Sequence, residues 1–325
     1  MLLKIKGVIR RIANNFKNDC RFSFYFALLG FLRECFRILR LNKLSTKANK
    51  SRDKWILNYL TKLEKPVIEK YKNNTEVGKP DENAPIWICW WTGFESAPEL
   101  VKRCIKSTYK NAGNHPVNFI TQENYSDYLE IPRYILDKAT SGNMAFAHLA
   151  DYIRVKLLGT YGGLWLDATI FCNKNIPSEY FNMPLFTLKG PVEECGYVSK
   201  KRWVTFCLGG WQGNVIYRYL VDAFEQYWKY NEYAVDYLFF DHLILLGYEN
   251  IPFIRKLIDE IPDNNIHRDD LQAAMNAALP EIKWNDIVKN DTILYKLSWR
   301  EKYTEKTTTG ENTVYSKLLN NNIEQ

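Results

Sequence analysis

Apolar residues follow two kinds of spacing along this chain, and the change from one to the other divides it into regions. Residues 1–71 carry apolar positions at helical spacing, and the polar stretch 72–85 that follows is typical of a linker. The apolar run 86–91 and the mainly apolar segment 164–171 indicate buried parallel strands, with helical spacing between them. This order predicts an α/β fold with a mostly parallel central sheet, plus N-terminal helices.

The segment after residue 142 combines a helix, a tight turn and a strand. Asn143 is expected to cap a helix from Met144 to about Gly159, and a Gly-Gly pair then turns the chain into the strand 164–171. Asp167 is the single acid in that strand. Because burying an unpaired carboxylate costs several kcal/mol, a cap, an ion pair or a ligand must compensate for it.

The remaining elements are predicted from the same two spacings. A second strand is expected at 115–121, and a helix from about Gln122. Further strands are expected at 203–210 and 292–299, and further helices near 215–230, 236–247, 251–261 and 269–278.

Three charged side chains are expected to meet at one edge of the sheet. Asp151 and Arg154 lie three residues apart on the helix, and Asp167 lies near the end of the next strand. Parallel sheets bind ligands at the carboxyl ends of their strands, so the three can converge on one cleft. The alternatives are a surface ion pair on the helix, which contributes a few tenths of a kcal/mol, and an aspartate that only caps a turn.

Charge is unevenly distributed, and cysteines are scattered. The net charge is +7, yet residues 1–54 hold 14 Lys and Arg against three acids. A basic end on a mildly acidic body favours an anionic surface as partner. The cysteines form no CxxC pair and are predicted to be reduced, buried thiols of a cytosolic protein. They are Cys20, Cys35, Cys89, Cys104, Cys172, Cys195 and Cys207.

The basic N-terminal region contains an apolar run that is too short to cross a bilayer. The run from Phe22 to Leu32 is about half of the required length, and charged residues interrupt the chain after it. An amphipathic helix lying on an anionic membrane surface is one interpretation. A helix packed on its own domain is the other.

The sequence "AFAHLADYIRVKLLGTYGGLWLDATIF" (145–171) resembles the DXD region of retaining glycosyltransferases with a GT-A fold. It is most similar to the capsular polysaccharide synthesis family, and more distantly to the glucosyltransferase domains of large clostridial toxins. The resemblance covers about residues 84–300. It implies a GT-A-like, nucleotide-sugar-binding fold.

The resemblance also implies roles for individual residues. Asp151 and Arg154 match the helix pair that holds the donor sugar and diphosphate. Asp167 matches the first acid of DXD, which contacts sugar hydroxyls and the metal. Trp90 matches an aromatic residue that stacks on the nucleotide base. Because Trp90 and Trp91 alternate along a strand, one of the two is expected to line the cleft.

A C-terminal segment and one further acid complete the predicted site. The "KLSW" segment is similar to one that closes over the donor diphosphate, which implies donor-binding roles for Lys296, Ser298 and Trp299. Asp241, in "FFDHL", is expected either to cap its helix or to face the acceptor as a catalytic residue. His148 is expected to be a packing or surface residue.

The sequence departs from DXD at Thr169, where the second acid would stand. The resemblance implies a divalent cation, Mn²⁺ or Mg²⁺, bound by Asp167. A hydroxyl is a poorer ligand for such a hard cation than a carboxylate. Beside Asp167, such a cation would therefore need diphosphate oxygens and water as ligands.

Together these features predict a retaining glycosyltransferase of the hexosyltransferase type. It would transfer a sugar from a nucleotide sugar, UDP-linked by preference, to a capsular or other cell-surface polysaccharide or a lipid-linked glycan. A basic helical region (1–75) and a glycosyltransferase domain (76–325) are expected, in a cytoplasmic protein bound peripherally to the inner face of the plasma membrane. The alternative is an inactive, glycosyltransferase-like binding subunit of a polysaccharide assembly complex. Nucleic acid is not expected as a partner, because no nucleic-acid-binding motif accompanies the basic region.

Overall fold

The computed structural model describes residues 2–194, 196–279, 284–288 and 291–320 of the chain. The helices in these ranges are α1 (Leu2–Asp19), α2 (Phe24–Ile38), α3 (Asn42–Leu63), α4 (Lys65–Tyr71), α5 (Glu99–Asn111), α6 (Arg133–Thr140), α7 (Phe146–Tyr161), α8 (Val215–Tyr230), α9 (Phe239–Asn250), α10 (Pro252–Asp259), α11 (Asp270–Ala274), α12 (Trp284–Ile287) and α13 (Val314–Asn320). The strands are β1 (Ile86–Cys89), β2 (Val117–Ile120), β3 (Gly163–Leu166), β4 (Ile170–Cys172), β5 (Leu185–Thr187), β6 (Cys207–Gly210) and β7 (Leu294–Lys296).

The central sheet has the strand order β2-β1-β3-β6-β5. Strand β1 pairs in parallel with β2 and with β3, whereas β6 is antiparallel to both of its neighbours. Four of these five strands therefore run in the same direction. The predicted α/β class, with a mostly parallel sheet and N-terminal helices, is confirmed.

The predicted strand 164–171 is two strands in the structure, which corrects the sequence interpretation. Strand β3 ends at Leu166, a turn follows, and β4 begins at Ile170. Strand β4 leaves the central sheet and pairs antiparallel with β7, with Ile170 opposite Lys296. The break places Asp167 at the carboxyl end of a central strand, as predicted.

The Gly-Gly turn before β3 requires glycine at both positions. The φ angles of Gly162 and Gly163 are 69° and 96°, in the left-handed region that side chains disfavour. A Cβ on Gly163 would also lie 2.1 Å from the carbonyl oxygen of Pro85. The turn can therefore bring the end of α7 directly against the start of β3.

Two predicted helix starts are wrong. Helix α7 begins at Phe146, and its N-cap is Ala145 with no side-chain cap bond, so Asn143 is not the cap. The helix expected from Gln122 is a short 3-10 turn at 125–127 instead. There the side-chain oxygen of Asn124 accepts the N–H of Thr121 over 2.8 Å, which favours a turn over a helix.

The later elements agree with the predictions in type more than in length. Helix α8 has the predicted bounds, and α9 and α10 lie within three residues of theirs. Strand β6 begins only at Cys207, β7 covers three residues of 292–299, and α11 ends at Ala274. Strand β5 and helices α12 and α13 were not predicted.

The N-terminal helices share a hydrophobic core with the helices that cover the sheet. Ile56, Leu60 and Tyr71 are buried in the same cluster as Tyr219 and Phe224 of α8. Helix α2 packs one face against the protein and exposes the other face. Packing on its own domain therefore accounts for one face of this helix only. Among the described residues, no helix has the length and apolar character needed to span a bilayer. The boundary at residue 75 stays a prediction.

The cysteines differ in burial. Cys104, Cys172 and Cys207 are buried free thiols, as expected. Cys20 is exposed, and Cys35 and Cys89 are half-buried, which corrects the prediction for these three residues. Cys195 lies outside the described residues.

Candidate active site

Asp167 lies where β3 ends and a cleft of about 730 Å³ begins. Its backbone N–H donates to the carbonyl of Phe206 over 2.9 Å, and its own carbonyl accepts the N–H of Ile170 over 2.9 Å. The turn is therefore held by backbone bonds. The Asp167 carboxylate receives side-chain donors instead, so Asp167 does more than cap a turn.

Both carboxylate oxygens of Asp167 accept hydrogen bonds. Oδ1 accepts from Nη2 of Arg154 over 2.9 Å and from Nε1 of Trp165 over 3.0 Å, and Oδ2 accepts from Nζ of Lys296 over 3.0 Å. Burial alone raises the pKa of Asp167, but the charges of Lys296 and Arg154 outweigh that effect and hold the pKa below its usual range. Asp167 is therefore charged at neutral pH.

Arg154 joins two carboxylates across the floor of the cleft. Its Nη1 donates to Oδ1 of Asp151 over 2.9 Å, and its side chain is only 5% exposed. The guanidinium lies 4.8 Å from the ring centre of Trp165. Burial raises the pKa of Asp151, and the nearby Arg154 charge opposes this. The surface ion pair considered from sequence is wrong, because the pair lines the cleft with side chains only 5% and 15% exposed.

The pairing of β4 with β7 brings Lys296 to Asp167 on the side opposite Arg154. Its Nζ donates to Oγ1 of Thr169 over 2.7 Å as well as to Asp167, and it lies 4.8 Å from the ring centre of Phe206. The N–H of Leu297 donates to the Thr169 carbonyl over 3.0 Å. The Thr169 hydroxyl thus accepts a hydrogen bond from the Lys296 ammonium.

Aromatic side chains form one wall of the cleft. Trp90 and Trp299 pack edge to face, with ring centres 5.8 Å apart, and Trp299 remains 43% exposed. The indole nitrogen of Trp90 is buried and has no hydrogen-bond partner among the described residues. Trp91 also lines the cleft. The prediction that only one of the two lines it is wrong, because β1 ends at Cys89 and the alternation of a strand ends with it.

Ser298 and Asp241 both line the cleft. The backbone N–H of Ser298 donates to Oε1 of Gln272 over 2.8 Å, which holds the "KLSW" segment in place. Asp241 does not cap α9; its Oδ1 accepts the indole N–H of Trp203 over 3.0 Å. Burial raises the pKa of Asp241 to about 6, against the opposing effect of that hydrogen bond.

Sequence reasoning missed two residues that position the predicted ones. Trp165 lies two residues before Asp167, so the same-face periodicity of a strand was a usable signal. Trp203 contacts Asp241 across 38 residues of sequence, and nothing local marks it. His148 is buried and packs against Trp228 and Phe239, as expected for a packing residue.

The donor set does not favour a divalent cation. Among the described residues, no group of three His, Cys, Asp or Glu side chains is arranged to hold a metal ion. The Asp167 carboxylate and the Thr169 hydroxyl, the two groups that DXD would offer, both bind the Lys296 ammonium. Mn²⁺ or Mg²⁺ therefore stays a prediction from the resemblance.

The chain belongs to the family of the capsular polysaccharide synthesis protein, whose family model matches residues 37–318. It is also similar to two curated fungal proteins. The O-glycosyltransferase braB of Annulohypoxylon truncatum is 25% identical over 157 residues, 44% of this chain and 37% of that protein. The O-glycosyltransferase PaGT of Phomopsis amygdali is 26% identical over 103 residues, 29% of this chain and 25% of that protein.

The chain thus spans well under half the length of these curated relatives. Among solved structures it is similar to the PaToxG glycosyltransferase. That similarity has a TM-score of 0.38 at 15% identity, over 65% of this chain and 83% of the other.

Proposed function

We propose that this protein is a glycosyltransferase that binds a nucleotide sugar in the cleft at the end of β3. The observation that carries the proposal is the Asp167 carboxylate, whose two oxygens join Arg154 and Lys296 from opposite sides. This arrangement presents two fixed cations beside an aromatic wall, at the sheet edge where ligands bind. It suits a ligand that carries a diphosphate, a sugar and a planar base.

Arg154 and Lys296 supply the positive charge that the reaction needs. As the bond between the anomeric carbon and the diphosphate oxygen breaks, its electron pair leaves with the diphosphate. Cations that are already fixed in place stabilise this developing charge without reorganising. Asp167 holds both cations in place and offers its remaining lone pairs to sugar hydroxyls. In this proposal, Lys296 supplies the positive charge that a metal ion would otherwise supply.

Asp241 lines the same cleft and acts as the base for the acceptor hydroxyl. The oxygen of an acceptor hydroxyl forms the new bond to the anomeric carbon, and its proton passes to the Asp241 carboxylate. A carboxyl with a pKa near 6 is well matched to this role close to neutral pH. The hydrogen bond from Trp203 fixes the position of the carboxylate.

The base of the donor is proposed to stack on Trp90, and UDP-sugars are the proposed donors. The unpartnered indole nitrogen of Trp90 offers a hydrogen bond to such a ligand. The experiment is a thermal-shift screen of UDP-sugars against other nucleotide sugars. We expect a UDP-sugar to raise the melting temperature of the wild type and not of Trp90→Ala, while Trp284→Ala, outside the cleft, responds as the wild type does. No shift with any nucleotide sugar would contradict the proposal.

A cell-surface polysaccharide or lipid-linked glycan is the proposed acceptor, supported by the family match. The curated relatives' names support transfer to oxygen. Slow release of UDP without an acceptor distinguishes an active transferase from an inactive binding subunit.

An anionic membrane on the cytoplasmic side is the proposed location. The turn between α2 and α3, with the helix ends beside it, exposes four aliphatic side chains, and basic residues surround them. Such a surface suits insertion between anionic lipid headgroups. The aliphatic residues are Ile38, Leu39, Leu41 and Leu44, and the basic ones are Arg37, Arg40, Lys43 and Lys47.

A further inference from the structure

A second cavity, the α3 groove, lies outside the proposed donor cleft. It has a volume of about 1100 Å³ and follows one face of α3 from Ser45 to Thr61. At 1.5 Å per helical residue this face is about 24 Å long. Helices α1 and α2, residues 194 and 196–202, and the end of α9 form the other walls. A groove of this length suits an extended chain better than a small molecule.

Positive charge predominates in the α3 groove. Seven Lys and Arg side chains line it, against four carboxylates. At one end Glu34 is shared by three guanidiniums, those of Arg11, Arg33 and Arg37, at 3.7, 3.3 and 2.6 Å. One carboxylate cannot neutralise three cations. Lys54, midway along the groove, has no ion pair or hydrogen bond within the described part of the chain. These cations are available to an anionic ligand.

The rest of the lining is suited to sugar hydroxyls. Side-chain amides and hydroxyls lie between the charges, among them Asn15, Asn58 and Thr46. The four carboxylates can accept hydrogen bonds from the hydroxyl groups of a glycan, whereas single-stranded DNA carries no hydroxyl group between its ends. Tyr197 is the one aromatic side chain among the described lining residues, so successive bases would find no stacking platform. A concave groove also does not match a flat bilayer.

The wall between the α3 groove and the donor cleft is thin. Arg202 lines the groove, and the next residue, Trp203, donates to Asp241 in the cleft. On α9, His242 follows Asp241 directly, and its Nε2 lies 3.4 Å from Oδ1 of Asp53, which lines the groove. Neighbouring residues of the chain therefore contact the lining of both cavities.

We infer that the α3 groove binds an acidic glycan, the part of the acceptor chain that does not react. This inference rests on the proposed glycosyltransferase function. The ligand class is a polysaccharide that carries carboxylate or phosphate groups on some of its sugars. The groove holds it by charge at Arg11, Lys54 and Arg202 and by hydrogen bonds to its hydroxyls.

Binding of fluorescently labelled polygalacturonate oligomers to the full chain tests this inference, with dextran as the neutral comparison. We expect polygalacturonate to bind and dextran not to bind. Lys54→Glu should weaken binding roughly tenfold. Lys62→Glu makes the same charge change on α3 outside the groove, and it should leave binding within about twofold. Unchanged melting temperatures show that both variants are folded.

Equal weakening by Lys54→Glu and Lys62→Glu would overturn the inference, because charge alone would then explain binding. Equal affinity for single-stranded DNA of the same charge would overturn it too, as would no binding of polygalacturonate. The thermal shift with a UDP-sugar should be unchanged in Lys54→Glu. If that shift is absent from the wild type while groove binding persists, the proposed function fails and the acidic-glycan site stands.

Discussion

The ammonium of Lys296 lies 3.0 Å from Oδ2 of Asp167, across 129 residues of sequence. The same ammonium donates to Thr169, so it occupies the space between the first and third residues of the Asp-Ala-Thr turn. A divalent cation would have to displace it to bind both groups. In this protein a lysine from β7 therefore provides a fixed positive charge at the end of β3.

The first prediction is that Lys296, and not a metal, carries catalytic charge. Lys296→Ala should lower kcat by about 10²–10³, the usual loss when one stabilising donor is removed from a transition state. Excess chelator should leave wild-type activity unchanged. Lys302→Ala, an exposed lysine outside the cleft, is the control. Loss of wild-type activity in chelator, restored by Mn²⁺, would contradict the assignment.

The second prediction concerns Asp241 and pH. Because the Asp241 carboxylate must be unprotonated to accept a proton, and burial raises its pKa to about 6, kcat/KM should fall as pH drops through about 6. Above that pH the rate should level off. Asp241→Asn should lower the rate and remove this limb of the profile. A wild-type profile that is flat between pH 5 and 7, about one unit either side, would contradict the role.

The sequence predicted the part of the site that is local in the chain. The Gly-Gly turn, the helix pair and Asp167 lie within 17 consecutive residues. Their spacing along the chain therefore predicts how they are placed relative to one another. The resemblance implied a donor-binding role for Lys296, but its pairing with Asp167 was not predicted, because β-pairing between distant segments leaves no local signal. The Trp203 contact to Asp241 was missed for the same reason. At Gln122 a local side-chain bond of Asn124 overrode a helical pattern.

The third prediction concerns a buried acid far from the cleft. Glu64, at the end of α3, is fully buried, and neither carboxylate oxygen has a hydrogen-bond partner among the described residues. Burial raises its pKa to about 9. The folded protein therefore keeps Glu64 protonated while the unfolded chain ionises it above about pH 4.5. The contribution of Glu64 to the free energy of unfolding is fully present below that pH, and it is lost as the pH rises toward 9.

Glu64→Gln removes this pH dependence of the free energy of unfolding, because glutamine does not titrate. Relative to the wild type, its free energy of unfolding should rise by about 3 kcal/mol between pH 4.5 and pH 7. Urea unfolding at several pH values measures the difference. Glu69→Gln, an exposed acid on α4, should show no such gain. Parallel pH dependence of the wild type and Glu64→Gln would show that Glu64 is ionised in the fold.

The fourth prediction concerns the α2–α3 turn. Leu39 and Leu41 are 65% and 44% exposed beside basic residues, so replacing both with Ser should reduce sedimentation with anionic vesicles roughly tenfold or more. Added salt should weaken wild-type binding. Val192→Ser, an exposed apolar residue elsewhere, should bind as the wild type does. Equal sedimentation of the double variant would exclude this turn as the membrane contact.

The central claim is that Asp167 organises the cations of a nucleotide-sugar cleft, and release of UDP from UDP-sugars tests it most directly. The wild type should release UDP. Asp167→Asn should release UDP at least about 10²-fold more slowly, because Arg154 and Lys296 lose their shared anion. Asp167→Asn keeps the size of the side chain, so its melting temperature shows whether the fold is retained. No UDP release by the wild type, or equal release by a folded Asp167→Asn, would contradict the claim.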